Sequence, residues 1–261
     1  MQWLAGTSGY SYKEWKGIFY PEDLASDAML SFYATRLPAV EINNTFYRMP
    51  RRHVLEGWHD AVPGSFRFVI KASRRITHHA RLNDVEEPAA YLAEAVSTLE
   101  DKLGCVLFQL PPYLRKSAER LDKFLTFWPK ELPAAVEFRH DSWFDQEIAD
   151  ILHKHGASIC VSEDGKLPLP EFFSTTDWVY FRLRKPGYDK RALATWLKRG
   201  SDAGVESGFA FFKHEDEGAG PALAAKFLGL ADADANADSR GSKAAALKVQ
   251  AKSQKEIPKR A

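Results

Sequence analysis

Two carboxylates stand where a β-strand would aim them at a common centre. Ala39-Val40-Glu41-Ile42-Asn43 and Ala135-Val136-Glu137-Phe138-Arg139 both alternate polar groups with apolar ones. Residues two apart share one face of a strand, so Glu41 lies with Asn43 and Glu137 with Arg139, away from the bulky apolar groups. A mid-strand glutamate is disfavoured unless its face meets water, a partner or a ligand. Two such strands imply a polar centre wrapped in an apolar shell. Paired carboxylates suit acid, base or nucleophile roles, as in glycoside hydrolysis, where separations of ~5–5.5 Å or ~6.5–9.5 Å set the stereochemistry. The same residues also suit a buried ionic network neutralised by Lys71, Arg139 or Arg182. Both readings stand at this level.

Further hydrogen-bonding groups end the other strand-like segments: Ser8, Lys71, Gln109, Ser162 and Arg182. Four histidines, His78, His79, His140 and His214, raise the question of a metal centre with the two glutamates. None has the HxH or HxxxH spacing that makes such a signal specific, and three inward cations would repel a divalent ion. The expectation is therefore no metal and no cofactor, but a small anionic ligand. Gly218-Ala219-Gly220-Pro221 reads as a helix start with free N–H groups, and the loop after the seventh strand supplies Arg184, Lys185, Lys190 and Arg191; both features suit phosphate. They equally suit an ordinary helix start and a solvated basic loop. Aromatic residues follow the first, second and fifth strands, namely Tyr10, Tyr12 and Trp15, then Phe46 and Tyr47, then Trp143. At one rim these rings would stack on a ligand or form a lid.

The elements that must position these groups alternate along the chain. Strands are predicted at Trp3–Thr7, Val40–Asn43, Phe66–Lys71, Val106–Gln109, Ala135–Arg139, Ser158–Ser162, Trp178–Arg182 and Gly208–Phe212. Helices are predicted between them, notably at Asp27–Leu37, Arg51–Ala61, Pro88–Leu103, Ser117–Phe127, Phe144–His155, Lys190–Arg199 and Pro221–Leu230. Strict β/α alternation predicts a parallel sheet, and eight units in about 230 residues match a TIM-type (β/α)8 barrel with its site at the C-terminal ends of the strands. A doubly wound open sheet is the alternative. Residues 231–261 are Ala/Lys-rich with few bulky apolar groups, and are expected to form a disordered tail outside a single domain of residues 1–230. That tail carries +3 of the overall +1 charge, leaving −2 on the body. Net charge therefore gives nucleic-acid binding no support, and any anion site must be local. Cys105 and Cys160 lie in apolar runs and read as buried small hydrophobes. No apolar run approaches the ~20 residues of a membrane span, and no targeting segment is visible, so a cytoplasmic protein is expected. The oligomeric state is left open.

Several blocks carry a resemblance as well: GTSGYSYKEWKGIFYP at 6–21, EINNTFYRMP at 41–50, KASRRITHHARL at 71–82, LFQLPP at 107–112 and EFRHDSW at 137–143. Together they resemble the YecE-like family, domain of unknown function 72, over residues 1–230. The resemblance implies a TIM-barrel fold with a polar centre, and the family's barrel has been likened to the endonuclease IV and xylose isomerase group. Matching positions include Ser8, Tyr12, Glu41, Asn43, Phe46, Tyr47, Lys71, His78, Gln109, Glu137, Arg139, His140 and Trp143, and Arg182-Leu183 also matches. The chain departs from the family pattern at Arg184-Lys185 and at Lys213-His214. The resulting expectation is an enzyme acting on a small carboxylated or phosphorylated substrate by hydrolysis or isomerisation. Glu41 or Glu137 would be acid or base, His78 or His140 a proton partner, and Lys71, Arg139 and Arg182 charge stabilisers. Ser8, Tyr12, Asn43, Phe46, Tyr47, Gln109 and Trp143 would complete the substrate pocket. Two alternatives remain: a non-catalytic barrel binding an anionic metabolite or nucleic-acid end, and a metal-dependent phosphodiesterase of the endonuclease IV kind.

Overall fold

A computed structural model describes residues 1–165, 167–171, 174–213 and 218–235. Eight parallel strands close into a barrel in chain order. They are β1 (Gln2–Ser8), β2 (Ala39–Ile42), β3 (Arg67–Lys71), β4 (Leu103–Gln109), β5 (Ala134–Glu137), β6 (Ser158–Glu163), β7 (Trp178–Leu183) and β8 (Ser207–Phe212). Pairing of β1 with β8 over Gln2–Thr7 closes the ring. The expected barrel is therefore the observed one, and the open sheet is excluded.

Alternation along the strands sorts side chains into two apolar clusters. One fills the barrel interior with Ala39, Val69, Cys105, Leu107, Ala135, Cys160, Tyr180, Phe209 and Phe211. The other, far larger, lies between the strands' outer faces and the surrounding helices, with Val40, Ile70, Phe108, Val136 and Phe181 among its members. Both cysteines are free and buried in the interior cluster. The helices are α1 (Met29–Ala34), α2 (Arg52–Asp60), α3 (Glu86–Val96), α4 (Ala118–Phe127), α5 (Gln146–Lys154), α6 (Lys190–Asp202) and α7 (219–235). Asp145 and Asp189 cap α5 and α6 by accepting from Ile148 and Ala192 backbone N–H groups, which satisfies donors that a helix start leaves open. Among the described residues, no helix is long and apolar enough to cross a membrane.

The differences from expectation have local causes. α1 is shorter than predicted, because the chain enters it through a 3-10 turn at Ser26–Ala28. The helix predicted over Pro88–Leu103 stops at Val96 and continues as 3-10 geometry over Ser97–Lys102, with Glu100 at φ 49°. β5 ends at Glu137, so Arg139 stands in the loop just above the strand. α7 starts at 219, which puts Pro221 inside its first turn, and runs to 235, past the predicted domain boundary at 230. The rest of the predicted tail lies outside the described residues.

Close strand contact at the start of the site depends on glycine. A Cβ on Gly6 would come within 1.8 Å of the Ala39 carbonyl oxygen and 2.9 Å of the Tyr33 hydroxyl. With no side chain there, that hydroxyl sits between β1 and β2, accepting from Thr7 N–H at 2.9 Å and donating to Ala39 O at 3.0 Å. Gly9, at φ 101°, then turns the chain in a conformation that L side chains rarely adopt, and its N–H donates to Glu41 O at 2.8 Å. Ser8 and Glu41 are thereby fixed side by side.

Candidate functional site

Arg182, on β7, is fully buried at the C-terminal end of the barrel and binds both predicted carboxylates at once. Its Nε donates to Glu41 Oε2 at 2.7 Å, its Nη2 to Glu41 Oε1 at 2.6 Å and its Nη1 to Glu137 Oε2 at 2.6 Å. Glu41 also accepts from Ser8 Oγ and Asn43 Nδ2, each at 2.8 Å, and from the hydroxyl of Tyr180. Five donors thus saturate one carboxylate. Burial alone would raise its pKa, but the Arg182 charge and these donors hold it far below the usual carboxylate range. Glu137 is likewise fully buried and held down to about 2, again against the pull of desolvation, by Arg182 and then Arg139.

A second line of contacts continues across the barrel. Gln109 donates from Nε2 to Glu137 Oε2 at 2.8 Å and accepts at Oε1 from Lys71 Nζ, also at 2.8 Å. No carboxylate oxygen lies within 4.0 Å of the lysine ammonium among the described residues. It faces the Phe46 ring instead, 4.3 Å from the centroid. Desolvation, with Arg182 nearby, lowers the Lys71 pKa from 10.5 to about 8. His78 meets the same Phe46 ring edge-on at 4.8 Å, and its Nδ1 shares a hydrogen bond with Thr77 Oγ1 at 2.9 Å. Its burial, and next the Lys71 charge, lower its pKa to about 4, so the imidazole is neutral at pH 7. His78 belongs to a π-helical turn, Arg75–His79, followed by left-handed backbone at Arg81, Leu82 and Asp84. Such geometry costs about 1–3 kcal/mol per residue and persists where surrounding structure enforces it.

The mouth is incompletely satisfied on its β5–β7 side. Among the described residues, four buried side-chain polar atoms lack a hydrogen-bond partner: Glu137 Oε1, Arg139 Nε, Ser162 Oγ and Arg184 Nε. All four stand at or just beyond the C-terminal ends of β5, β6 and β7. The first two lie 2.5 Å apart as an ion pair outside hydrogen-bond geometry, and Arg139 Nη1 donates to Asp164 Oδ2 at 2.5 Å. Ser162 Oγ and Arg184 Nε have no such compensation. Arg184 is partly desolvated beside Arg182, which lowers its pKa from the usual arginine value. Four cations, Lys71, Arg139, Arg182 and Arg184, here face three carboxylates, Glu41, Glu137 and Asp164.

Of the residues expected at the site, Ser8, Glu41, Asn43, Lys71, Gln109, Glu137, Arg139 and Arg182 converge, with Phe46 and His78 beside them. Several expected roles change. Glu41, expected as an acid or base, already accepts five hydrogen bonds and stands as a counter-ion to Arg182. Trp143 is not a pocket wall: it is fully buried, stacks on Phe138 at 4.8 Å and donates from Nε1 to Leu114 O at 2.7 Å. Trp15 is buried too. Tyr12 is half-buried, packs on Trp15 at 4.7 Å and donates its hydroxyl to Ser8 O at 2.7 Å, which braces the first loop. Tyr47 projects into solvent, 70% exposed. His140 uses Nδ1 to accept from Ser142 N–H at 3.1 Å, capping the 3-10 turn Asp141–Trp143. Tyr180 and Asp164 were not expected at the site, while Ser162 was expected only as a strand-end polar group and Arg184 only as part of a phosphate-suited loop. Tyr180 and Arg184 continue the parity of Arg182, so alternation was the available signal. His214 lies outside the described residues.

The donors at the mouth do not suit a metal, since each carboxylate there is already committed to a guanidinium group. Among the described residues, one group has metal-ligand character: His59, Glu100 and Asp101, with ligand atoms within 4.8 Å of one another. It lies below the strands, between α2 and the turn leading into β4, at the opposite end of the barrel.

Comparison with known proteins agrees with this fold. The family model described as protein of unknown function DUF72 matches residues 4–247. The chain is 33% identical over 196 residues to the UPF0759 protein YunF of Bacillus subtilis, covering 69% of this chain and 68% of that protein. It is 29% identical over 135 residues to the UPF0759 protein YecE of Escherichia coli, spanning 49% of this chain and 50% of that one. The crystal structure of a DUF72 family protein from Thermotoga maritima is similar with a TM-score of 0.75 and 27% identity, covering 89% of this chain and 100% of that one. None of these names states an activity. The chain belongs to the DUF72 family.

Proposed function

We propose that the barrel mouth binds a small anionic substrate, carboxylated or phosphorylated, and promotes proton-transfer chemistry on it, in an isomerisation or a hydrolysis. The observation that carries this reading is the placement of Ser162 Oγ and Arg184 Nε, buried and without hydrogen-bond partners among the described residues, at the same barrel mouth as Lys71, which has no carboxylate within 4.0 Å among those residues. Each orphaned buried donor costs about 1–3 kcal/mol, a cost that a bound anion would remove. Arg184 and Lys71 supply the attraction, and Ser162 supplies a directional hydrogen bond.

Acid/base work moves from Glu41 to Lys71. Its pKa of about 8 leaves both protonation states accessible near neutrality, as efficient proton transfer requires. Gln109 orients the amine, Phe46 covers one side of it, and neutral His78 adjoins Phe46 as the proton partner. Arg182 and Glu41 hold the geometry without taking part.

A thermal-shift screen of carboxylated and phosphorylated metabolites tests the reading. A true ligand raises the melting temperature of the wild type through binding linkage. Arg184→Gln should abolish that rise, whereas Lys71→Met should keep a weakened rise and lose turnover. A ligand that stabilises wild type and Arg184→Gln equally would refute this site.

A further inference from the structure

The loops that follow β2 and β3 carry a charge pattern that the mouth chemistry does not need. Residues 44–54 and 72–82 hold six arginines and three histidines, and no carboxylate. Elsewhere on the body acids more than balance bases, so this is a strong local segregation. Arg48, Arg51, Arg52, Arg74, Arg75 and Arg81 are all exposed. Only Arg52 has a carboxylate within 4.0 Å among the described residues, its helical neighbour Glu56. Five like charges on one rim repel one another, and among the described residues none of the five has a carboxylate within 4.0 Å.

The two loops form one surface. Arg48 and Arg51 line a groove of about 330 Å³ with Asn44 and Trp58. Met49, at its edge, also lines the adjoining hollow with Arg75, Tyr91 and one acid, Glu87. Rings are interleaved with the charges. The Arg74 guanidinium lies 5.7 Å from the centroid of Tyr47, and Tyr113, 64% exposed, donates its hydroxyl to His78 O at 3.3 Å. Tyr47 is more exposed still. Exposed rings among unpaired arginines offer stacking for unpaired bases and contacts for phosphates, the combination that binds single strands without reading sequence.

We propose that the rim formed by the β2 and β3 loops binds single-stranded nucleic acid, with Arg48, Arg51, Arg74 and Arg75 on the phosphates and Tyr47 stacked on a base. This surface acts whether or not the mouth proves catalytic. The arginines' spread over two loops beside a groove sets a contact of several nucleotides, and a duplex, whose bases are already stacked, cannot use the tyrosines.

Fluorescence anisotropy with a labelled 12-nucleotide mixed-sequence single strand, and with its duplex, decides it on the full chain. The single strand should bind more tightly than the duplex. Its log affinity should fall linearly with log salt, because each neutralised phosphate of a single strand contributes about 0.7 to the slope. The pair Arg48→Gln with Arg51→Gln should weaken binding at least tenfold and lower that slope by about 1.4, and Arg74→Gln with Arg75→Gln should act alike. Tyr47→Ala should weaken single-strand binding severalfold and leave the salt slope unchanged, separating stacking from charge. Lys198→Gln, on exposed α6, should change nothing, and unaltered melting of every variant shows that the fold is intact. Undetectable binding at 50 mM salt, binding that both arginine pairs leave intact, or equal binding of duplex and inorganic polyphosphate would overturn the proposal.

Discussion

Replacing Arg182 by methionine isolates the ion cluster at the mouth. The side chain has no exposed surface, and neither do its partners Glu41 and Glu137. Three charge-assisted hydrogen bonds of 2.6–2.7 Å disappear together. Glu41 keeps Ser8, Asn43 and Tyr180, all neutral donors, and Glu137 keeps Gln109 and the misaligned Arg139. Removing one partner of a buried pair costs about 3–5 kcal/mol, since the survivor is charged and desolvated. For a domain of this size that corresponds to roughly 6–20 °C in Tm. The pH dependence makes the test specific. In the wild type Glu137 is held down to about 2, so its contribution is fully present above its unfolded pKa of 4.5 and is lost as pH falls from there towards 2. In Arg182→Met, burial is no longer opposed and the Glu41 pKa rises above its unfolded value. That contribution has the opposite sign: stability is lost as pH rises through the raised pKa. The gap between variant and wild type should therefore narrow steadily from pH 7.5 to pH 5. Urea unfolding followed by circular dichroism across that range measures it. A loss below 1 kcal/mol at pH 7.5, or a loss independent of pH, would refute the buried-cluster account.

Glu137→Gln should cost less, about 1–3 kcal/mol, because Arg182 keeps Glu41 and Arg139 keeps Asp164; a loss as large as that of Arg182→Met in the same urea assay would show Glu137 to be the centre of the cluster. Trp143→Ala should destabilise by about 3–5 kcal/mol, as large aromatic truncations in cores do, while any anion affinity measured just below its melting onset stays within twofold of the wild type. Lys71, with a folded pKa of about 8 against 10.5 unfolded, gives the unfolded chain more bound protons between those values, so stability from this group rises with pH across that window. Amine modification mapped by mass spectrometry should show a half-maximal rate for Lys71 near pH 8, and a midpoint near 10.5 would remove Lys71 as a neutral-pH acid/base.

Alternation within single strands made much of this site legible. Glu41 and Asn43, or Glu137 and Arg139, share a face because side chains repeat every two residues, and that holds whatever the tertiary structure. Partnership across the barrel was not legible. Arg182 meets Glu41 across 141 residues only because β7, β8, β1 and β2 are consecutive in a closed ring, so the sequence offered Arg139 as readily as Arg182 for either carboxylate. Trp143 shows a different limit. A tryptophan just after a strand looks like a rim residue, and only the inward fold of the β5 loop against Phe138 and Leu114 makes it core. Arg184 was within reach, since Tyr180, Arg182 and Arg184 keep one parity past the strand end. Its apparent membership of a solvated basic loop obscured that.

The saturation of the mouth is uneven, and this bears on where chemistry can occur. On the β1–β2 side, Glu41 already accepts five hydrogen bonds, so a substrate placed there could only break what is already made. On the β5–β7 side, among the described residues, buried Ser162 Oγ and Arg184 Nε have no hydrogen-bond partner, and Glu137 Oε1 has a charge beside it but no aligned donor. Lys71, on β3, is linked to Glu137 through Gln109. Arg182 separates the two halves, completing the first while lending positive potential to the second. Under the proposed function, a ligand's acidic group would sit over β6 and β7, with its reacting carbon towards Lys71. Were the cluster purely structural, evolution of a stable core would favour filling Ser162 and Arg184 with apolar groups, because a buried ion pair is often no more stable than a packed hydrophobic substitute. Ser162→Ala with Arg184→Met makes that substitution directly: it should raise Tm or leave it unchanged while eliminating the anion-dependent shift. A double variant that melts several degrees lower without ligand would make these two residues part of the frame and leave Lys71 alone as the open cation.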